Sequence, residues 1–238
     1  MVRFDPVQTL DSLKRFLASG MDGIITSCCS GQLPRQLMQT LELQRYPLFT
    51  LCGRSDYDFS SSAPDYSEAL PAAVRSLAEK GHRTVTLCLF EGKKADNARN
   101  RLLFLKSCRQ YGVEPDFRIH NERGQAASLA DRRLPAVILY GKYSMRIYQD
   151  RCRELNLHPD IVGIYNEWTL AAARDFSFHG IILEQAEEAV RSAVRQVIAQ
   201  IGGMGISHIR PRAKYVPQSK IRSLKLQNLA NQMLFELP

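Results

Sequence analysis

The stretch Ala63–Leu89, APDYSEALPAAVRSLAEKGHRTVTLCL, decides the fold. It reads as a turn, a helix, a glycine stop and a buried strand. Asp65 precedes the helix as an N-cap, and Glu68, three residues on, completes capping-box spacing. Leu70, Ala73, Val74 and Leu77 recur at helical spacing and form one apolar stripe. Pro71 counts against a helix here, because an interior proline loses a backbone hydrogen bond and kinks the axis. Gly81 supplies the left-handed residue that ends a helix. Thr84 to Phe90 is β-branched and apolar on both faces, which suits a strand covered from both sides.

Upstream, residues 8 to 19 pattern as an amphipathic helix ending at Gly20, and Asp22-Gly23 turns into a strand at Ile24–Thr26. Leu33 to Leu43 suits a helix, with Pro34 tolerated in its first turn. Pro47 to Leu51 is a short apolar strand, and Gly53 to Ser62 is polar and loop-like. Downstream, Glu91 to Asn97 is a polar connection. Arg99 to Tyr111 is then a helix stopped by Gly112, and Asp116 to Ile119 a brief strand. Helices follow at Ala126–Arg133, Ser144–Leu155 and Gln185–Ile201, with strands at Pro135–Tyr140, Pro159–Tyr165 and Ile181–Leu183. Strands that alternate with helices imply an α/β fold on parallel sheets.

Length and composition set outer bounds. A chain of 238 residues, 45% hydrophobic and 24% charged, can bury one large core or two lobes. Apolar runs stay well short of a membrane span. Asp5 and Asp11 interrupt any signal-peptide core, so a cytoplasmic location is expected. The six cysteines lack C-x-x-C or zinc spacing, and Cys52 and Cys88 read as small buried hydrophobes. The net charge of +8 sits in one place. From Ala189 to Phe235 there are eight basic residues and no acidic one, either a solvated face or a surface for a polyanion. Nucleotide-binding glycine loops and a G-x-S-x-G elbow are absent.

The order Asp, helix, G-H-R, apolar strand, with Asp65 sixteen residues before Gly81, resembles the effector-binding domain of LacI/GalR transcription regulators. LASGMDGIIT (Leu17–Thr26), PLFTL (Pro47–Leu51), PAVILY (Pro135–Tyr140) and PDIVGIY (Pro159–Tyr165) fall in that family's order. The resemblance runs from about Leu10 to about Ser223. It implies a two-lobed, type I periplasmic-binding-protein-like fold, each lobe a mostly parallel sheet flanked by helices. The lobes are expected at 1–90 plus 181–210 and at 91–180 plus 211–225, with a helical tail at 226–238. Ile209–Val216 and Ile221–Arg222 are expected as the closing strands. Compared with the family, the chain is expected to lack the DNA-binding head and the first strand-helix-strand. In the tail, Leu226, Leu229, Met233 and Leu237 share one helix face, for packing or self-association.

The resemblance also points to site residues, since ligands of open α/β sheets lie beyond the carboxyl ends of strands. Arg101 matches the family arginine that binds sugar hydroxyls, although the family's R-x-x-G-F has become R-L-L-F-L and Arg99 is a rival. Asn166 and Glu167 stand where the family has an acidic sugar ligand. Trp168, the one tryptophan, could stack on a sugar ring or simply fill a turn. Asp65 could touch ligand or only cap its helix. Ser27 follows the first strand. Gly141-Lys142 replaces the family's Asn-Asp, and Lys142 would favour an anionic ligand.

The expected function is ligand sensing for a LacI/GalR-like regulator, without catalysis, cofactor or metal. A small sugar-like effector, neutral or anionic, would bind between the lobes and pass their closure to a DNA-binding head. A homodimer is expected, with no membrane partner and DNA contact only through that head. The alternatives are an enzyme on a flavodoxin-like scaffold, with Lys142 and Glu167 as its only candidate pair, and a solute-binding protein.

Overall fold

The computed structural model describes residues 14–15, 17–26, 35–51, 59–90, 94–120, 125–140, 142–170, 178–221 and 223. The chain divides into two compact units, Met1–Pro64 with Glu187–Pro211 and Asp65–Ala186 with Arg212–Pro238. The chain therefore crosses between units at three places, after Pro64, Ala186 and Pro211.

The described elements of the first segment are β1 (Ile24–Thr26), α1 (Arg35–Leu43), β2 (Leu48–Thr50) and β3 (Ser60–Ser62). The middle segment carries α2 (Ala69–Glu79), β4 (Thr84–Phe90), α3 (Lys94–Tyr111), β5 (Glu114–His120), α4 (Gln125–Asp131), β6 (Ala136–Tyr140), α5 (Lys142–Glu154), β7 (Asp160–Asn166), α6 (Glu167–Leu170) and β8 (Gly180–Glu184). Then come α7 (Ala186–Ile201), β9 (His208–Ile209) and β10 (Lys214–Pro217).

The first unit holds a parallel sheet in the order β1-β2-β3-β9. Ile24, Met38, Leu41, Leu48 and Phe59 form one of its apolar clusters, and Phe49 packs with Ala193 and Val197 of α7 in another. Gly23 is needed there: a Cβ would stand 2.5 Å from Val197 Cγ1 and 3.1 Å from the Pro47 carbonyl oxygen. β3 corrects the expected loop. Its three serines are buried, and the hydroxyls of Ser60 and Ser61 are paired. Ser61 Oγ and His208 Nδ1 are hydrogen-bonded at 2.9 Å, and the Ser207 N–H donates to Ser60 Oγ at 3.0 Å. Buried hydroxyls are tolerated when they find such partners.

The second unit holds a six-stranded sheet in the order β10-β8-β7-β6-β4-β5, parallel except for β10. Its inner strands β4, β6, β7 and β8 are buried on both faces, and the edge strands β5 and β10 are partly exposed. On one side Leu70, Val74 and Leu77 of α2 and Phe104 of α3 meet Val85, Leu87 and Ile138. On the other, Met145 and Tyr148 of α5 meet Cys88, Val137 and Leu139. The alternation within β4, Val85 and Leu87 one way and Cys88 the other, is the period of two that a central strand requires.

Four expectations need correction. The lobe boundary expected at 90/91 falls at 64/65, because β4 pairs with both β5 and β6 at the heart of the second sheet. β8, expected in the first lobe, pairs with β7 and joins the second. The expected closing strand 209–216 is split, with β9 in the first sheet and β10 in the second, and Ile221 is helical. α3 starts at Lys94, within the stretch read as a polar connection. Arg222 and the 226–238 tail lie outside the described residues, and of the helix expected at 8–19 residues 14–15 and 17–19 are described, helical as far as Ala18 with a turn at Ser19.

α2 shows why the opening stretch folds as it does. It begins at Ala69, so Pro71 falls in the first turn, where its missing N–H costs no helical bond. Glu68 precedes it without a side-chain cap, and the expected capping box does not form. At the other end Gly81 has φ +96°, and the N–H groups of Gly81 and His82 donate to Ala78 and Leu77 carbonyls at 2.9 and 3.2 Å. Both bonds satisfy carbonyls that a helix end leaves open.

Candidate functional site

The strand order of the second unit locates a site. The chain enters at β4, steps out to β5, and returns to β6 on the other side of β4. That reversal is a topological switch point, and the crevice beyond the carboxyl ends of β4 and β6 is where such sheets bind ligands. α3 and α5 both begin there. Asn166 and Glu184, which close β7 and β8, are register partners on the same edge.

Asp65 reaches this edge from the chain crossing. Its carbonyl oxygen accepts the Ala213 N–H at 2.9 Å, and it bridges Arg212, just ahead of β10. Since Lys214 pairs with Leu183, Asp65 stands level with the end of β8. Its Oδ1 accepts the Ser67 N–H at 3.1 Å and Arg99 Nη2 at 3.1 Å. The carboxylate therefore holds a turn and an arginine of α3 rather than capping α2. Nearby, Tyr66 donates its hydroxyl to Glu184, and Arg212 pairs with Glu68 at 3.3 Å.

Arg101 is not brought to Asp65. Its guanidinium lies over the ring of Phe117 in β5, 4.7 Å from the centroid. Phe117 in turn meets Phe104 edge to face at 5.2 Å. Arg99 and Arg101 sit two residues apart on one helix, about 200° around its axis, so they serve different faces.

Asn166 is at the sheet edge as expected, but its carbonyl oxygen is engaged. Asn166 Oδ1 accepts both the N–H and the hydroxyl of Thr169 at 2.8 Å, and the Asn166 N–H donates to Thr169 Oγ1 at 3.1 Å. It is the reciprocal cap of α6, a role in which its amide N–H2 group takes no part. Glu167 and Trp168 open α6 and Lys142 opens α5, while their side chains, and all of Ser27 and Gly141, lie outside the described residues. Sequence reasoning missed Tyr66, Glu184 and Thr169. The N-x-x-T spacing of Asn166-Glu-Trp-Thr169 was a readable cap signal, and Glu184 directly follows the apolar run Ile181–Leu183 at the carboxyl end of β8.

The opposite edge of the sheet carries a separate polar cluster. His82 Nε2 lies 2.7 Å from Asp160 Oδ2, Lys80 contacts Asp160 Oδ1, and His179 Nε2 is hydrogen-bonded to Ser76 Oγ at 2.9 Å. Burial pushes the Asp160 carboxyl up, but the Lys80 and His82 hydrogen bonds and the Lys80 charge outweigh it and hold the group below its usual range. Burial also pulls the His179 imidazole down, more than Asp160 lifts it. These contacts tie α2 to β7 and β8, so His82 of the G-H-R turn is part of the scaffold. Cys88, Cys108 and Cys152 are buried thiols. Burial pushes Cys108 up to about 12, which leaves no thiolate for nucleophilic chemistry near neutral pH.

No protein-family profile matches the chain, and no curated protein does. No helix among the described residues is long and apolar enough to cross a membrane. Solved structures do match. A LacI family transcriptional regulator from Enterococcus faecium with bound ribose aligns with a TM-score of 0.69 and 13% identity, over 87% of this chain and 81% of that one. A periplasmic binding ribose operon repressor protein from Lactobacillus acidophilus gives 0.69 and 13%, over 92% and 83%. A LacI family transcriptional regulator from Mycobacterium smegmatis gives 0.69 and 14%, over 87% and 81%. At such identities the likeness is one of fold. The chain has the α/β fold of the LacI-family transcription regulators.

Proposed function

We propose that this chain is the ligand-sensing domain of a LacI/GalR-like transcription regulator. It binds a small sugar-like effector between its two units, and ligand-driven closure of the units is the signal. The observation that carries this reading is the polar carboxyl edge of the second sheet. Beside the switch point, Asp65, Arg99, Asn166 and Glu184 offer donors and acceptors of the kind that read hydroxyl groups. The ribose bound by the E. faecium structural neighbour supports a sugar as the ligand class. In the proposed assembly two copies form a homodimer, and DNA is contacted by a head domain. The domain works as a soluble cytoplasmic sensor and needs no cofactor, because its output is a change of shape.

Titration calorimetry with a panel of pentoses, hexoses, sugar phosphates and uronates tests the reading. Saturable one-to-one binding, with the ligand recovered unchanged, is the expected result. Turnover of any panel member would replace the sensor with an enzyme. Silence across the whole panel would end the proposal.

A further inference from the structure

We infer that Arg99, and not Arg101, is the arginine that reads the effector, and that Asp65 holds it in reserve for an anionic one. This inference rests on the sensor reading above and names the chemistry of its ligand.

Arg101 is committed elsewhere. Its guanidinium carbon lies 4.7 Å from the ring centroid of Phe117, on the outermost strand of the sheet, within cation–π range. Arg99 stands at the switch-point end of α3 with its side chain 43% exposed. Its contact with Asp65 is single-point, one Nη2–Oδ1 approach of 3.1 Å. Arginine binds carboxylates and phosphates best through two parallel N–H···O bonds. A one-point pair whose arginine is open to solvent and whose aspartate is 22% exposed holds less firmly than a two-point one. A ligand carboxylate or phosphate that offers a fork therefore displaces the Asp65 carboxylate, whereas a neutral hydroxyl does not.

The surroundings isolate this competition. Glu68 is paired with Arg212, and Glu184 takes the Tyr66 hydroxyl, so Asp65 is the carboxylate set directly against Arg99. Displacement also has an outlet. Asp65 is the first residue after the first crossing, and its backbone is bonded to the strand that follows the third. Releasing its side chain alters the charge and the turn at two of the three links between the units.

The test is calorimetry of the 238-residue chain with D-ribose, D-ribose 5-phosphate, D-glucose and D-glucuronate, on wild type, Asp65→Asn, Arg99→Ala, Arg99→Lys and Arg101→Ala. Thermal melts of each variant serve as folding controls. Asp65→Asn keeps the acceptor for the Ser67 N–H but removes the competing charge. It should bind the anionic probe about three- to fivefold more tightly, the span of an exposed ion pair. Arg99→Ala should weaken it by about tenfold or more, the cost of losing hydrogen bonds to a charged group. Arg99→Lys should retain part of the binding, and Arg101→Ala should stay within about twofold of wild type, as a side chain outside the site should. Weaker anion binding in Asp65→Asn, or loss in Arg101→Ala with Arg99→Ala unaffected, overturns the inference. Wild type that binds only ribose or glucose overturns it while leaving the sensor reading intact. Wild type that binds none of the four overturns this inference, and only silence across the wider panel removes the sensor reading with it.

Discussion

Asp160 shows how much one side chain can gather, and it makes stability depend on pH. Its carboxylate receives Lys80 and His82 directly and has His179 at 3.9 Å. Both Asp160 and His179 hold their protons less well in the folded chain than when free. The unfolded chain is then the better proton acceptor, so stability rises with pH. The imidazole contribution is complete above about pH 6.5 and fades below it, and the carboxylate contribution is complete above about pH 4 and fades under that. The melting temperature should therefore fall in two stages on acidification. His179→Gln should erase the stage that sets in below about pH 6.5 and spare the lower one. An unchanged upper stage in that variant would assign it to another group. The G-H-R triplet made this cluster half legible, because His82 could be read as structural from its turn. Its partner Asp160, 78 residues away, could not. The two arginines teach the same lesson: motif position favoured Arg101, and only the azimuth of each residue on α3 separates them.

At the scale of elements, strong periodicity was easy to read and partnered polarity was not. The helix at Ala69–Glu79, its Gly81 stop and the β4 strand all follow from apolar spacing and one glycine. β3 does not, since Ser-Ser-Ser has no strand signal and becomes one because residues 207–209 supply its hydrogen bonds. Ser61→Ala would leave His208 Nδ1 without that partner and should cost about 1 kcal/mol in thermal or denaturant unfolding. A neutral result would mean that the ladder, not the hydroxyl, holds the strand. The short α6 offers a sharper separation of roles. Asn166→Asp keeps an acceptor for Thr169 and places a negative charge at a helix start, so stability should hold within about 0.5 kcal/mol. The same change removes the amide donors, so sugar binding should weaken by about tenfold, the loss of one or two hydrogen bonds. Unaltered affinity would take Asn166 out of the site and leave it as a cap.

At the scale of the whole molecule, alternating helices and strands announced parallel sheets, and the family pattern announced two lobes. The boundary between them was misplaced by one helix and one strand. Nothing local marks a crossing: Pro64-Asp65 looks like any turn, and only the pairing of β4 with β5 and β6 assigns that strand. Each unit has its own apolar clusters, so unfolding should show two transitions rather than one. Gly23→Ala drives a methyl into Val197 and the Pro47 carbonyl and should lower the first unit's transition by about 1–3 kcal/mol. Gly81→Ala strains a backbone at φ +96° and should lower the second unit's transition by about 1–2 kcal/mol. Calorimetric scans of both variants decide this, and a shift of both transitions by either change would make the chain one cooperative block.

The threefold crossing has a consequence for how the chain is made. The strands from β4 to β8 leave the ribosome as one unbroken run, whereas the first unit is left waiting for α7 and β9. Until residues 207–209 emerge, β3 has no mate on its far side, and Ser60 and Ser61 lack the groups that make their burial tolerable. The inner unit can thus assemble during translation while the outer one is completed only near its end. A stall in synthesis after Glu184 would release a nascent polypeptide whose larger sheet is formed apart from β10 and whose smaller one is open.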